Sequence, residues 1–403
     1  MGTCDFSNFV TMVSPRLLRK TCFPLFGIVL LMWAIHAALQ SGTINTAILG
    51  PLQQDSNSNG DGGDTIKRPG FSGGARHVQE LTDDYEEVEY SSSVQEKADV
   101  DAILQKPWTF NKSAAEEARK EMFSYFNPYK IITMTSDDAT VGQLQRFYHS
   151  KAIPMVDVPP GISRLLPKKQ LFRNTRYETC ALVGNGGILL NSSCGESIDE
   201  KDFVIRCNFA EMEGFSADVG TKTDVLTFNP SILNRKFSKL KSSAMRTKFL
   251  KRIQSYGKYV LWVPVFTPHF LPIDVRTVLT FYEKNSNYLK DVQLAFPGNV
   301  LPEILDFWMS KGVDEERIST GLLMYIIAST ICDKIHLYGF YPFPEYNNKP
   351  IPYHYEDPVN KSMTTSEFNS NFRRFHRLPD EFVYLKKMHS AGVLQLNIGT
   401  CER

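Results

Sequence analysis

The apolar run CALV leads into Gly184-Asn185-Gly186-Gly187, and a second run, FVIR, ends before Cys207-Asn208. A side-chain amide offers both a donor and an acceptor, which suits a base, a ribose or a phosphate. Glycines beside Asn185 let a backbone approach a ligand closely. The turn lacks G-x-G-x-x-G spacing, so no dinucleotide is implied; read alone, it is an ordinary strand-to-helix turn. Further on, in RISTGLLMYIIASTICDKIHLYGFYPF, Ser319 or Thr320 can cap a helix beginning near Gly321. Free N–H groups and the dipole at a helix N-terminus favour phosphate, although Ser-Thr-Gly by itself is a plain cap. The run KIHLYGF then brings Gly339, Phe340 and Tyr341 to its end. Two histidines stand out: His354 in PIPYHYED, and His376 five residues before Glu381 in FHRLPDEF. An imidazole near its usual pKa of ~6.5 suits proton transfer at neutral pH. The other six histidines read as surface or core groups. A catalytic metal would want a carboxylate pair such as Asp-x-Asp beside a strand. The one such triplet, Asp99-Val-Asp101, falls at a linker boundary, and Cys-x-x-Cys pairs are lacking, so no metal is expected.

These residues need elements to position them. Seven apolar runs read as buried strands: 179–185, 203–208, 225–229, 259–265, 292–296, 334–340 and 393–397. Stretches read as amphipathic helix, such as 301–311 and 320–331, lie between them. Strands alternating with helices imply a largely parallel α/β sheet covered on both faces. Asn185 and Asn208 would then converge at the carboxyl edge, where open α/β sheets bind ligands.

Together these segments resemble the animal sialyltransferases, most closely the alpha-2,8-sialyltransferase family. Residues 180–229, through DVGTKTDVLTFNPSIL, look like the large sialyl motif, and residues 317–339 like the small one. PIPYHYED resembles the third motif, and His376 with Glu381 fits the short His-x4-Glu motif. The match spans roughly residues 170–403. It implies a single Rossmann-like α/β domain, a GT-A-like variant, whose mostly parallel seven-stranded sheet is flanked by helices. By the same resemblance, Asn185, Asn208, Ser319, Thr320 and Gly321 would bind the cytidine and phosphate of CMP-sialic acid. Gly339, Phe340 and Tyr341 would line the donor pocket, with Tyr341 where many members carry Trp. His376 would be the general base on the acceptor hydroxyl, and His354 would stabilise or protonate the departing phosphate. The reaction would be metal-independent, would need no cofactor and would invert the anomeric carbon. The family pattern also pairs Cys180 with Cys332 and Cys194 with Cys401, leaving Cys207 a buried free thiol; the sequence itself does not choose these pairs. A long basic segment before the small motif, as in polysialylating relatives, is replaced here by LPEILDFWMSKGVDEER, which implies addition of one or a few sialic acids. The implied acceptor is a sialylated glycolipid or glycoprotein. Two other readings stand beside this one: transfer to galactose in another linkage, and a catalytically silent glycan-binding protein.

The rest of the chain says where such a domain would work. Thr21 to Leu39 carries no charged residue, follows Arg16, Arg19 and Lys20, and precedes the next charge at Asp55. As a helix it spans roughly 28 Å, enough for a thin bilayer. The positive flank orients it as a signal-anchor, with residues 1–20 cytoplasmic, 21–39 in the membrane and the remainder lumenal. A cleaved signal peptide, cut near Ala38 or Ser41, is the competing reading, against a long n-region. The short span suits a Golgi membrane, type II. Residues 40–105 hold SNSNGDGGD, GFSGGAR and the acidic run Glu80–Glu89 around Tyr85, and read as a flexible stem before a catalytic domain at 106–403. Sequons at Asn111, Asn191 and Asn360 agree with a lumenal domain. Of 403 residues, 42% are hydrophobic and the net charge is +1, which fits a globular enzyme and gives no argument for nucleic acid. Eight basic residues between Arg235 and Arg252 read as a solvated helix face, with a track for an anionic acceptor as the alternative.

Overall fold

The computed structural model describes residues 106–138, 144–145, 156–157, 165–229, 231–264, 272–298, 300–313, 318–358 and 378–401. Every one of the seven apolar runs becomes a strand of one sheet. They are β1 (Tyr177–Val183), β2 (Phe203–Arg206), β3 (Val225–Thr227), β4 (Tyr259–Trp262), β5 (Val292–Ala295), β6 (Cys332–Tyr338) and β7 (Gln395–Asn397). Their order is β7-β6-β1-β2-β3-β4-β5, and each pairing is parallel. Continuous apolar runs are what a sheet covered on both faces demands. Accordingly Cys180–Val183 and all of β2 are buried.

The covering helices are α1 (Lys112–Tyr125), α2 (Gly195–Asp199), α3 (Ser231–Phe237), α4 (Ser243–Gln254), α5 (Pro272–Lys284), α6 (Leu301–Ser310), α7 (Thr320–Ile331) and α8 (Leu378–Ser390). The stretch 320–331, expected to be amphipathic, is not: every residue from Leu322 to Ile331 is buried. A helix apolar all round has no solvent face to offer and belongs inside the molecule. The basic run behaves as a solvated face: Arg235, Lys236, Lys239, Lys241, Arg246, Lys248 and Lys251 are exposed. Phe237 and Phe249, from the same helices, turn inward against Phe209. Two short antiparallel ribbons, Leu144–Gln145 with Val156–Asp157 and Glu345–Tyr346 with Lys349–Pro350, complete the strands described.

From β1 the chain steps outward through β2, β3, β4 and β5, then returns to lay β6 on the other side of β1. The strand order therefore reverses beside β1, the position outside whose carboxyl end open α/β sheets hold ligands. Disulfide Cys180–Cys332 joins β1 to the start of β6, Cys194–Cys401 joins the segment after β1 to the segment beyond β7, and Cys207 is a buried free thiol. Burial pushes that thiol up to about 12, so it stays protonated and unreactive at neutral pH. Among the described residues no helix is long and apolar enough to cross a membrane. Tail, anchor and stem up to residue 105, together with Asn360 and His376, lie outside the described residues.

Candidate active site

Asn185 and Asn208 each stand two residues beyond the register pair Val183 and Arg206, so neighbouring strands deliver both to one edge. Asn208 and Phe209 are successive left-handed residues, φ 55° and 56°. Asparagine tolerates that region and phenylalanine does not, so the turn is held by what surrounds it. The Asn208 N–H donates to Thr227 Oγ1 at 2.7 Å, and Phe209 is packed into the core. Asn185 uses its backbone carbonyl to accept from the Tyr355 N–H at 3.0 Å. Its side-chain Oδ1 is buried without a partner among the described residues. An unpaired buried acceptor costs about 1–3 kcal/mol, which a ligand donor would recover.

The glycines of the turn do something other than admit a ligand. A Cβ on Gly184 or Gly186 would meet the Gly339 carbonyl oxygen at 2.8 or 2.6 Å, and one on Gly187 would sit 1.8 Å from the Pro352 oxygen. They are small because two other backbones, 339–341 and 352–355, press against the turn. The Gly184 and Gly186 N–H groups donate to the carbonyls of Tyr338 and Gly339 at 2.8 and 3.2 Å. Gly187 donates to Tyr353 at 3.2 Å, and Gly186 bridges His354. Thus His354 is bound by main chain to the loop that carries Asn185.

His354 is half-buried, and Asp357 meets it twice. The Asp357 Oδ2 accepts the His354 backbone N–H at 3.0 Å and lies 3.4 Å from Nδ1. The hydrogen bond from His354 holds the Asp357 carboxyl below the usual carboxylate range. Asp357 was not picked out in the sequence; its signal was only the spacing His-x-x-Asp inside a turn. Lys236 pairs with the neighbouring Glu356, and Tyr355 anchors the segment by donating to the Glu211 carbonyl at 2.6 Å.

Ser319, one of the two cap candidates, is the residue that caps α7: its Oγ accepts the Leu322 N–H at 3.2 Å. Glu381, from α8, is buried at the same point and accepts from both the Ser319 N–H, at 2.7 Å, and the Ser319 hydroxyl. The hydroxyl proton is therefore committed to a carboxylate. The N–H groups of Thr320 and Gly321 have no partner among the described residues and remain available at this helix end. Gly321 is needed for packing, since a Cβ there would lie 2.6 Å from the Phe340 ring. Tyr341 is only 7% exposed; its phenol donates to the Glu345 carbonyl and its ring lies among Phe343, Tyr346 and Phe382. Gly339 is buried behind the turn. The structure thus gathers Asn185, Thr320, Gly321, Phe340 and His354 around the reversal beside β1. Asn208 stands at the next strand end.

Of the sequons, Asn111 caps α1 through Oδ1, which accepts from the Ala114 N–H at 3.1 Å, and Asn191 is exposed in a left-handed turn. Among the described residues, no three His, Cys, Asp or Glu side chains are grouped as a metal site.

An unsatisfied amide oxygen, two unpartnered N–H groups at a helix N-terminus and a carboxylate-backed imidazole suit a phosphorylated ligand bearing polar edges. The model of glycosyltransferase family 29 (sialyltransferase) matches residues 111–393. The alpha-N-acetylneuraminide alpha-2,8-sialyltransferase of Xenopus laevis is 32% identical over 299 residues, covering 73% of this chain and 79% of that protein. A crystal structure of a mammalian sialyltransferase in complex with Gal-beta-1-3GalNAc-ortho-nitrophenol aligns at a TM-score of 0.44 and 20% identity, over 73% of this chain and 100% of that one. A second crystal structure of a mammalian sialyltransferase aligns at 0.42 and 21%, over 69% and 94%.

Proposed function

The chain belongs to glycosyltransferase family 29, the sialyltransferases, and we propose that it forms an α-2,8 linkage. In this reading it moves sialic acid from CMP-sialic acid to the terminal sialic acid of a glycolipid or glycoprotein glycan. The observation that carries the linkage is the 32% identity to an alpha-2,8-sialyltransferase across most of both chains.

The site supports a division of labour. Asn185, with its unpaired Oδ1, and Asn208 bind the cytidine and ribose. Thr320 and Gly321 offer their N–H groups to the phosphate, while Ser319 keeps the helix end in place through Glu381. Phe340 walls the pocket, with Gly339 and Tyr341 behind it. A hydroxyl nucleophile has a very high pKa and needs a positioned base as its bond forms; His376 takes that proton. The growing charge on the phosphate is met by the helix N-terminus and by His354, without a metal. Direct attack on the face opposite the phosphate inverts the anomeric carbon.

The proposal includes the setting: a type II Golgi membrane protein anchored by residues 21–39, lumenal from the stem onward, with N-glycans at Asn111, Asn191 and Asn360. The lumen is oxidising, as the two disulfides require. Full-length protein in detergent, given radiolabelled CMP-sialic acid and a panel of sialylated and unsialylated glycolipids and glycoproteins, tests the reading. Turnover confined to sialylated acceptors is expected, with the His376→Ala variant at least a hundredfold slower in kcat. Activity only on terminal galactose would reject the linkage, and an unimpaired His376→Ala would reject the base.

A further inference from the structure

We propose that a polar cavity of about 400 Å³ on the β6–β7 side of the sheet is a second, non-catalytic site for a carboxylate-bearing sugar. It shares no residue with the site at the reversal beside β1, and it stands independently of the reaction assigned there. His336 and Tyr338 of β6 face it together with their register partners Gln395 and Asn397 of β7. Lys201, just beyond α2, and Trp108, ahead of α1, close it.

Charge selects the ligand class. Two ammonium groups, Lys106 and Lys201, line the cavity, and no carboxylate does among the described residues. Burial pushes the Lys201 ammonium below its ordinary range, and it makes no ion pair among the described residues, although Glu200 and Asp202 flank it. The two imidazoles add no compensating or competing charge at neutral pH. Burial, with the nearby Lys201, pushes His336 down to about 4, and burial also lowers His389, whose Nδ1 accepts the Leu396 N–H at 2.9 Å. Lys334 also bears on His336. An under-solvated cation in a wall of neutral hydrogen-bonding groups calls for an anion.

Polar groups left over select a sugar rather than a bare ion. Trp108 Nε1 is buried with no partner among the described residues, its ring 5.9 Å from His336 and 6.5 Å from His389. Gln395 spends its oxygen on His336 Nδ1 at 2.8 Å, which leaves its amide N–H groups. Asn397 spends an N–H on the Leu337 carbonyl at 3.2 Å, which leaves its oxygen. A donor on Gln395 and an acceptor on Asn397, two residues apart on β7 in a cavity that Trp108 also lines, are the means of holding vicinal hydroxyls on a pyranose. The volume lies within the range of small-ligand sites, with room for one or two sugar rings.

The test uses full-length protein in detergent, labelled with 5-fluorotryptophan and kept in saturating CMP. The chain has four tryptophans, so 19F spectra resolve each one, and Trp108→Phe assigns the resonance in question. Probes are 3′-sialyllactose, glucuronic acid, lactose and acetate. A saturable shift of the Trp108 resonance with sialyllactose, with or without glucuronic acid, is expected, and none with lactose or acetate. Lys201→Gln should raise that Kd at least tenfold, with the Trp262 and Trp308 resonances unmoved as the check on folding. Lys201→Arg, which keeps the charge, should bind within a few-fold of the parent. No Trp108 response to either acidic sugar, an equal response to lactose or acetate, or an unchanged Kd in Lys201→Gln overturns the proposal.

Discussion

Asp357 touches His354 at the backbone and at the ring, and these two contacts do different work. The 3.0 Å bond to the main-chain N–H fixes the turn, while the oxygen 3.4 Å from Nδ1 orients the imidazole and favours a proton on that nitrogen. With Nδ1 so engaged, Nε2 is the nitrogen left for the phosphate role proposed for His354. The carboxyl stays ionised because its own pKa is lowered; by linkage its contribution is complete above the ordinary carboxylate range and fades only as pH falls through its depressed value. Asp357→Asn keeps the size and a contact to the backbone but loses the charge. The expected outcome is a fall in kcat of about tenfold or more with KM little changed, measured by steady-state kinetics, and a smaller loss in Asp357→Glu. A matching rise in KM instead would assign Asp357 to substrate binding. None of this was visible in the sequence, where a histidine and an aspartate three apart are ordinary loop residues. Their pairing exists only because the turn 354–357 folds back on itself.

Elements explain why the turn after β1 is so rich in glycine. Three segments meet there: the turn itself, the end of β6 and the strand-like stretch 352–355, and their main chains bond to one another without side chains between them. Gly187→Ala forces a Cβ into the Pro352 oxygen, so the stretch carrying His354 must move. A loss of about 3 kcal/mol or more in denaturant unfolding is expected, with activity lost in whatever folds. Gly214→Ala is the control. It has φ +82° but, among the described residues, nothing within 4 Å of an added Cβ, so only the backbone penalty of about 1–2 kcal/mol applies. Equal losses in the two variants would refute the packing account. The glycines were legible in the sequence and their purpose was not: Gly-rich turns suit a ligand and a neighbouring backbone equally well, and only the returning β6 distinguishes them. The seven strands were legible because a parallel sheet buried on both faces writes itself as continuous apolar runs. Helix α7 was misread because TGLLMYIIASTI has a few small polar residues that mimic a polar face, yet Ser329 and Thr330 are buried, the latter bonded back to the Ile326 carbonyl.

At the scale of the whole molecule, stability depends on keeping buried histidines neutral. The two disulfides close loops of 152 and 207 residues and are each worth about 5 kcal/mol in the chain-entropy model, independent of pH. His336 is different. Its folded value is about 4 against an ordinary 6.5, because burial and the Lys201 and Lys334 ammonium groups disfavour its charged form. Above pH 6.5 both folded and unfolded chains carry it neutral, and it costs nothing. Between 6.5 and about 4 the unfolded chain takes up a proton that the folded one refuses, so stability falls as pH falls; below about 4 the loss is complete. The shift sets an upper bound of roughly 3 kcal/mol, and His389, lowered in the same direction, adds to it. His336→Asn keeps a hydrogen-bonding group opposite Gln395 and cannot titrate. Its unfolding free energy should therefore decline less than that of the parent between pH 7 and 4.5, by about 2 kcal/mol, in urea titrations at each pH. Parallel curves would mean that the imidazole is free to charge in the folded protein and that acid lability comes from carboxylates instead.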